Sequence, residues 1–133
     1  MKPLWSLPVA IALVGAVIFA AGCGGGSDNP GQTLAPDAAA GKKFAEGNCM
    51  GCHTVTGANA AGPTWKGLSG SHVQLADGRT VAADDAYVVK SIVDPGADVV
   101  SGYSKTTMAQ AFPPGSVSQE QARRLVAYIA TLH

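Results

Sequence analysis

The sequence predicts an all-α fold in one small domain, residues 37–133, with three main helices and a short β-hairpin inserted between them. Three observations predict it. The stretches 37–47, 84–93 and 118–132 each carry helix-start residues followed by good helix formers or apolar residues at helical spacing. Only one stretch, Val73 to Val81, alternates about a tight-turn pair. A chain of 133 residues with 6% aromatics has room for one modest core, which needs added apolar mass or a covalent staple.

The first segment in chain order is an address. Met1-Lys2-Pro3 precedes an apolar run from Leu4 to Ala21, broken by Ser6, Pro8 and Gly15, that ends Ala20-Ala21-Gly22-Cys23. Residues 1–22 therefore read as an export segment, either a cleaved signal peptide or an uncleaved membrane anchor. The ending resembles the lipobox of bacterial lipoproteins, with Ala20 where Leu is preferred, which implies lipidation of Cys23. Cys23 is poorly placed for a disulfide beside Gly24-Gly25-Gly26. Residues 23–36, rich in Gly and Pro, read as a flexible linker. Lipid or helix would hold the domain on a membrane, facing the periplasm or outer side of the bacterial cell; a soluble secreted form is the remaining outcome.

The first helix, 37–47, follows Pro36, with Asp37 as expected N-cap and Ala38, Ala39 and Ala40 as helix formers. In the hairpin, Asp77-Gly78 supplies the turn. The next helix is capped by Asp84 and stopped before Pro95, with Tyr87, Val88, Val89 and Ile92 turned inward. The last opens on a capping-box pattern, Ser118 with Gln121, and presents Leu125, Tyr128, Ile129 and Leu132 on one face. The stretch from Ser101 to Ser116 reads as irregular. Nine Lys+Arg balance nine Asp+Glu, which leaves no basic stripe for nucleic acid.

The chemistry is concentrated in Cys49-Met50-Gly51-Cys52-His53. This is the attachment pattern of a c-type haem: each thiol adds across one vinyl group, and the next residue sets an imidazole beneath the iron. A thioredoxin-like pair would need a preceding strand, but a helix precedes here. A zinc site would need further ligands, and only His72 and His133 remain, neither in a second paired motif. Export agrees with haem, because attachment of this kind is completed outside the cytoplasm.

Residues 37–133 resemble a class I cytochrome c. The chain from Gly62 to Tyr103 is similar to the cytochrome c domains fused to subunit II of bacterial haem–copper oxidases, through Gly62-Pro63, Gly67-Leu68-Ser69-Gly70, Val73 to Gly78, Ala83 to Tyr87, Ser91 to Pro95 and Gly102-Tyr103. The copper-binding part is absent. The resemblance implies one covalent haem c, a Pro63 carbonyl that accepts a hydrogen bond from His53, and first and last helices that cross closely. At that crossing the small residues Ala40 and Gly41 would face Leu125 and Tyr128, and Phe44 is the expected aromatic; its spacing points to Ala40 rather than Gly41 for the position the family gives to glycine and leaves the register between the two open. Trp65, Tyr87 and Tyr103 are candidates to pack on the ring or bond a propionate, or are ordinary core.

The second iron ligand decides the function. A thioether suits a carrier because it stabilises ferrous iron. Met1 lies in the leader and Met50 inside the attachment loop, which leaves Met108, in the stretch where the resembled family places its ligand. Ala109 follows it where the family has Pro. His72, at the start of the hairpin, and His133, the terminus, read as surface. The expectation is a membrane-tethered respiratory one-electron carrier, not an enzyme and with no small-molecule substrate, its iron held by His53 and Met108. Its partners would be a redox donor and acceptor, a terminal haem–copper oxidase among the candidates, met through a face bearing Lys43, Lys66 and Lys105. The competing reading, in which Met108 does not ligate, is a five-coordinate haem sensor or peroxidase-like enzyme.

Overall fold

The computed structural model describes residues 33–133. The expected export segment 1–22, the expected lipidation site Cys23 and the expected linker up to residue 32 lie outside the described residues. In order come α1 (Pro36–Asn48), β1 (His72–Gln74), β2 (Thr80–Ala82), α2 (Asp85–Val93), α3 (Lys105–Ala111) and α4 (Gln119–Ile129). Among the described residues no helix is long and apolar enough to cross a membrane.

Helix α1 starts one residue earlier than the sequence suggests. Pro36 occupies the first turn and Ala35 is the N-cap, without a side-chain cap. Proline brings a preset φ and no N–H to leave unpaired, so the helix can begin on it, and the expected capping role of Asp37 falls away. Leu34, from the end of the expected linker, packs against the core.

The crossing of α1 and α4 corrects a second expectation. A Cβ on Gly41 would stand 1.9 Å from the Arg124 carbonyl oxygen and 3.0 Å from the Leu125 nitrogen. Gly41, not Ala40, is therefore the residue over which the two backbones touch. Beside it Phe44 packs on the core formed by Ala45, Ala122, Leu125, Val126 and Ile129.

Helix α4 carries the complete capping box: the Gln121 N–H donates to Ser118 Oγ (3.2 Å), and the Ser118 N–H donates to Gln121 Oε1 (3.1 Å). Helix α2 is capped as expected, with the Tyr87 N–H donating to Asp84 Oδ1 at 2.8 Å, and it buries Val88 and Ile92. Strands β1 and β2 pair antiparallel, His72 with Ala82 and Gln74 with Thr80. Gly78, at φ +89, makes the turn. The hairpin is pinned to the later chain by Ala76 N–H to Val99 O (2.8 Å) and Ser101 N–H to Gln74 O (2.9 Å). Those bonds, with the bridge between Leu75 and Val100, hold Val99 and Val100 against the hairpin.

The stretch expected to be irregular contains a fourth helix. Ser104 caps α3, its hydroxyl accepting from the Thr106 N–H, and the Phe112 N–H closes the last turn onto Met108 O before Pro113 stops the helix. Ala109 makes this possible, since a proline there would have no N–H to donate.

Candidate haem-binding site

The end of α1 flows into the Cys-x-x-Cys-His segment without a break in hydrogen bonding. The Cys49 N–H reaches Ala45 O (2.8 Å), and the N–H groups of Cys52 and His53 both return to Cys49 O (3.1 and 3.0 Å). The chain is wound so tightly here that both thiols and the imidazole border one cavity of about 180 Å³. Neither thiol is in a disulfide. Burial pushes the Cys49 thiol's pKa up to about 11, so it rests protonated.

His53 is fixed on three sides. Its Nδ1 lies 2.8 Å from Pro63 O, and because a carbonyl only accepts, Nδ1 is the protonated nitrogen. Its ring stacks on Trp65, with centroids 4.9 Å apart and planes 24° from parallel. Against the ring lies Gly62, where a Cβ would fall 2.6 Å from His53 Cε1. Burial lowers the imidazole's pKa, while the Pro63 hydrogen bond partly opposes that shift. The result is a neutral ring with Nε2 free to donate its lone pair, the state an iron ligand requires.

The loop that carries Gly62 and Pro63 is closed by short-range bonds. Gly62 N–H donates to Cys52 O (2.8 Å) and Trp65 N–H to Thr54 O (2.8 Å), while Thr64 N–H donates to the Asn59 side chain (3.0 Å). This closure swings Pro63 back over His53, ten residues away in sequence.

The cavity also gathers Pro63, Trp65, Tyr87, Tyr103 and Met108, so every cofactor-contacting candidate from the sequence borders the same space. Trp65 does so from within the core, at 5% exposure, and its ring meets His53. Met108 arrives from the middle of α3 rather than from a loop. His72 is exposed on β1, and neither it nor His133 borders the cavity. Lys43, Lys66 and Lys105 are all exposed, each beside a cavity residue in the chain: Phe44, Trp65 and Ser104.

Several lining residues were not legible as such. Leu68, Pro95, Val99, Val100, Phe112 and Val117 are among them, and Val88, Ile92 and Leu125 of the core line the cavity as well. Their only sequence signal was apolar character near turn residues, which does not tell a core position from a cofactor contact. Among the described residues no group of three or more His, Cys, Asp or Glu side chains is gathered to hold a metal ion.

The residues present fit a covalently held haem. A largely apolar cavity offers two thiols and a neutral imidazole at one wall, a thioether from another segment, and a buried hydroxyl, Ser91 Oγ, that has no hydrogen-bond partner.

A comparison with protein families agrees with that fit. The family model described as Cytochrome c matches residues 38–133. Among solved structures, cytochrome cH from Methylobacterium extorquens is similar at 25% identity and a TM-score of 0.49, the match covering 71% of this chain and 98% of that one. No curated protein matches.

Proposed function

This chain belongs to the cytochrome c family, and from that premise we propose that it is a membrane-tethered monohaem electron carrier whose iron is held between His53 and Met108. The family places it among electron carriers of the class I fold with one covalently attached haem c. Bound haem supplies a single iron that alternates between ferrous and ferric states. Cys49 and Cys52 are the anchoring thiols in this reading. Pro63 O and the Trp65 ring hold His53 in one orientation and one tautomer, so Nε2 keeps its direction in both oxidation states. The apolar wall excludes water, and a site that changes little between states exchanges electrons with little reorganisation.

The observation that carries the reading is the convergence of both thiols, the neutral His53 and Met108 on one apolar cavity. Cys23, or an uncleaved helix in 1–22, would tether the domain outside the cytoplasm. The exposed Lys43, Lys66 and Lys105, each next in the chain to a cavity residue, suit brief, weak contacts with redox partners. A terminal haem–copper oxidase is the acceptor we favour, from the likeness of the 62–103 stretch to oxidase-fused domains.

The test is an optical spectrum of the haem-loaded protein, oxidised and reduced, with carbon monoxide then added to the reduced form. A far-red sulfur-to-iron band that disappears in Met108→Ala, with no carbon monoxide binding by the wild type, is the expected result. Carbon monoxide binding by a wild type lacking that band would instead assign a five-coordinate sensor or peroxidase-like protein.

A further inference from the structure

Ser91 is half-buried, but its Oγ is the one buried side-chain polar atom without a hydrogen bond of good geometry among the described residues, the Tyr87 hydroxyl one turn earlier being close enough to interact with it. It sits on α2 one turn before Pro95, on the face that borders the cavity together with Tyr87, Val88 and Ile92. A helical serine usually satisfies itself on the carbonyl one turn back. Here the hydroxyl makes no such bond. Burying an unpartnered hydroxyl is costly, so the acceptor must be supplied when the cavity is filled.

Two features point to which acceptor that is. The end of α2 is tied to the chain leaving α3, by Gly115 N–H to Val93 O at 2.9 Å, so Ser91 and Met108 border the cavity from linked segments. The hydroxyl is also enclosed, on a helix face that carries the buried Val88 and Ile92 with the Tyr87 phenol, neutral surroundings in which an anion such as a propionate is costly and a neutral thioether is not. A methionine sulfur has two lone pairs; iron uses one, and the other remains a weak acceptor.

We propose that the Ser91 hydroxyl donates a hydrogen bond to the thioether sulfur of Met108 in the haem-loaded protein, making Ser91 a positioning residue that raises the reduction potential. This rests on Met108 as iron ligand. A hydrogen bond to sulfur withdraws electron density and weakens its donation, which disfavours ferric iron relative to ferrous.

Haem-loaded Ser91→Ala, Ser91→Thr and Tyr87→Phe are compared with the wild type by potentiometric titration across pH and by the far-red band of the oxidised form. The expected result is that Ser91→Ala lowers the midpoint potential and moves the band to longer wavelength. Ser91→Thr, which keeps the hydroxyl, should hold both near wild type. Tyr87→Phe should move neither. An unchanged potential and band in Ser91→Ala overturns the proposal. So does a potential that shifts with altered pH dependence while the band stays fixed, which assigns the hydroxyl to a propionate. Matching shifts in Ser91→Ala and Tyr87→Phe also overturn it, assigning the bond to the phenol one turn earlier. A wild type with no far-red band fails at Met108 ligation itself, and is recognised before any Ser91 variant is made.

Discussion

His53 shows how little freedom the site leaves a single residue. The Nδ1 hydrogen bond to Pro63 O and the stack on Trp65 set the ring's direction, but Gly62 sets how close the loop can come. A Cβ there at 2.6 Å from Cε1 must displace either the ring or the loop that carries Pro63. Gly62→Ala is expected to cost about 1–3 kcal/mol as an overpacking change. Because the strain falls on the ligand, covalent haem per mole of protein should drop and the far-red band weaken, both measured on the purified variant. Gly51, with open space around its Cβ position, is the control: Gly51→Ala should leave haem content near wild type. The Cys-x-x-Cys-His segment was legible because its chemistry is contained in five consecutive residues. The need for glycine at 62 was not, since it arises from a contact between residues nine apart that exists only after the loop closes.

The helices divide along the same line between local and distant causes. Ser118 with Gln121, and Asp84 before α2, were readable because a cap and its partner lie within one turn of each other. Helix α3 escaped because Thr106 and Thr107 are weak helix formers, and because Gly102, Pro113 and Pro114 mark the region as loop. Its signal was Ser104 as cap, with Ala109 keeping the ladder intact where proline would break it. The crossing register could not be read either, because nothing in the α1 sequence tells which of Ala40 and Gly41 faces Arg124. That register makes a sharp prediction. Gly→Ala in a helix interior gains about 1 kcal/mol of propensity. At 41, however, the new methyl would meet backbone at 1.9 Å, which no rotamer change relieves. Gly41→Ala should therefore destabilise by about 2 kcal/mol or more net of that gain, seen as a lower urea midpoint. A neutral or stabilised variant would contradict the crossing.

At the scale of the whole molecule, two devices join segments distant in sequence: an ion cluster and the cavity. Asp98, its side chain only 7% exposed, receives Arg79 from beside the hairpin turn (2.7 Å) and Lys90 from α2. Lys90 first, then Arg79, hold its carboxyl below the usual carboxylate range. A folded pKa below the unfolded one means that the stabilisation is present above about pH 4 and is lost as pH falls through the depressed value. Asp98→Asn should accordingly melt lower than wild type at pH 7, with the gap closing in strong acid. Added salt should shrink it too, because both cations are largely exposed. The cavity is the larger device. Val88, Ile92, Val117 and Leu125 belong at once to the main core and to the cavity wall, while Phe44, Met108 and Phe112 reach it from α1, α3 and the end of α3. Residues that would hold haem are thus also residues of the core, so bound haem would complete the packing between the helices. Cys49→Ala/Cys52→Ala, which cannot retain haem covalently, should keep part of its far-UV helical signal, since α1 and α4 meet through Gly41 independently of the cofactor. It should lose near-UV dichroism, bind a hydrophobic dye and melt without a sharp transition, as expected of a collapsed chain whose packing has gone. A sharp melt close to that of the haem-loaded protein would show instead that the α1–α4 pair and its core suffice for the fold, and would reduce the thioethers to a tether.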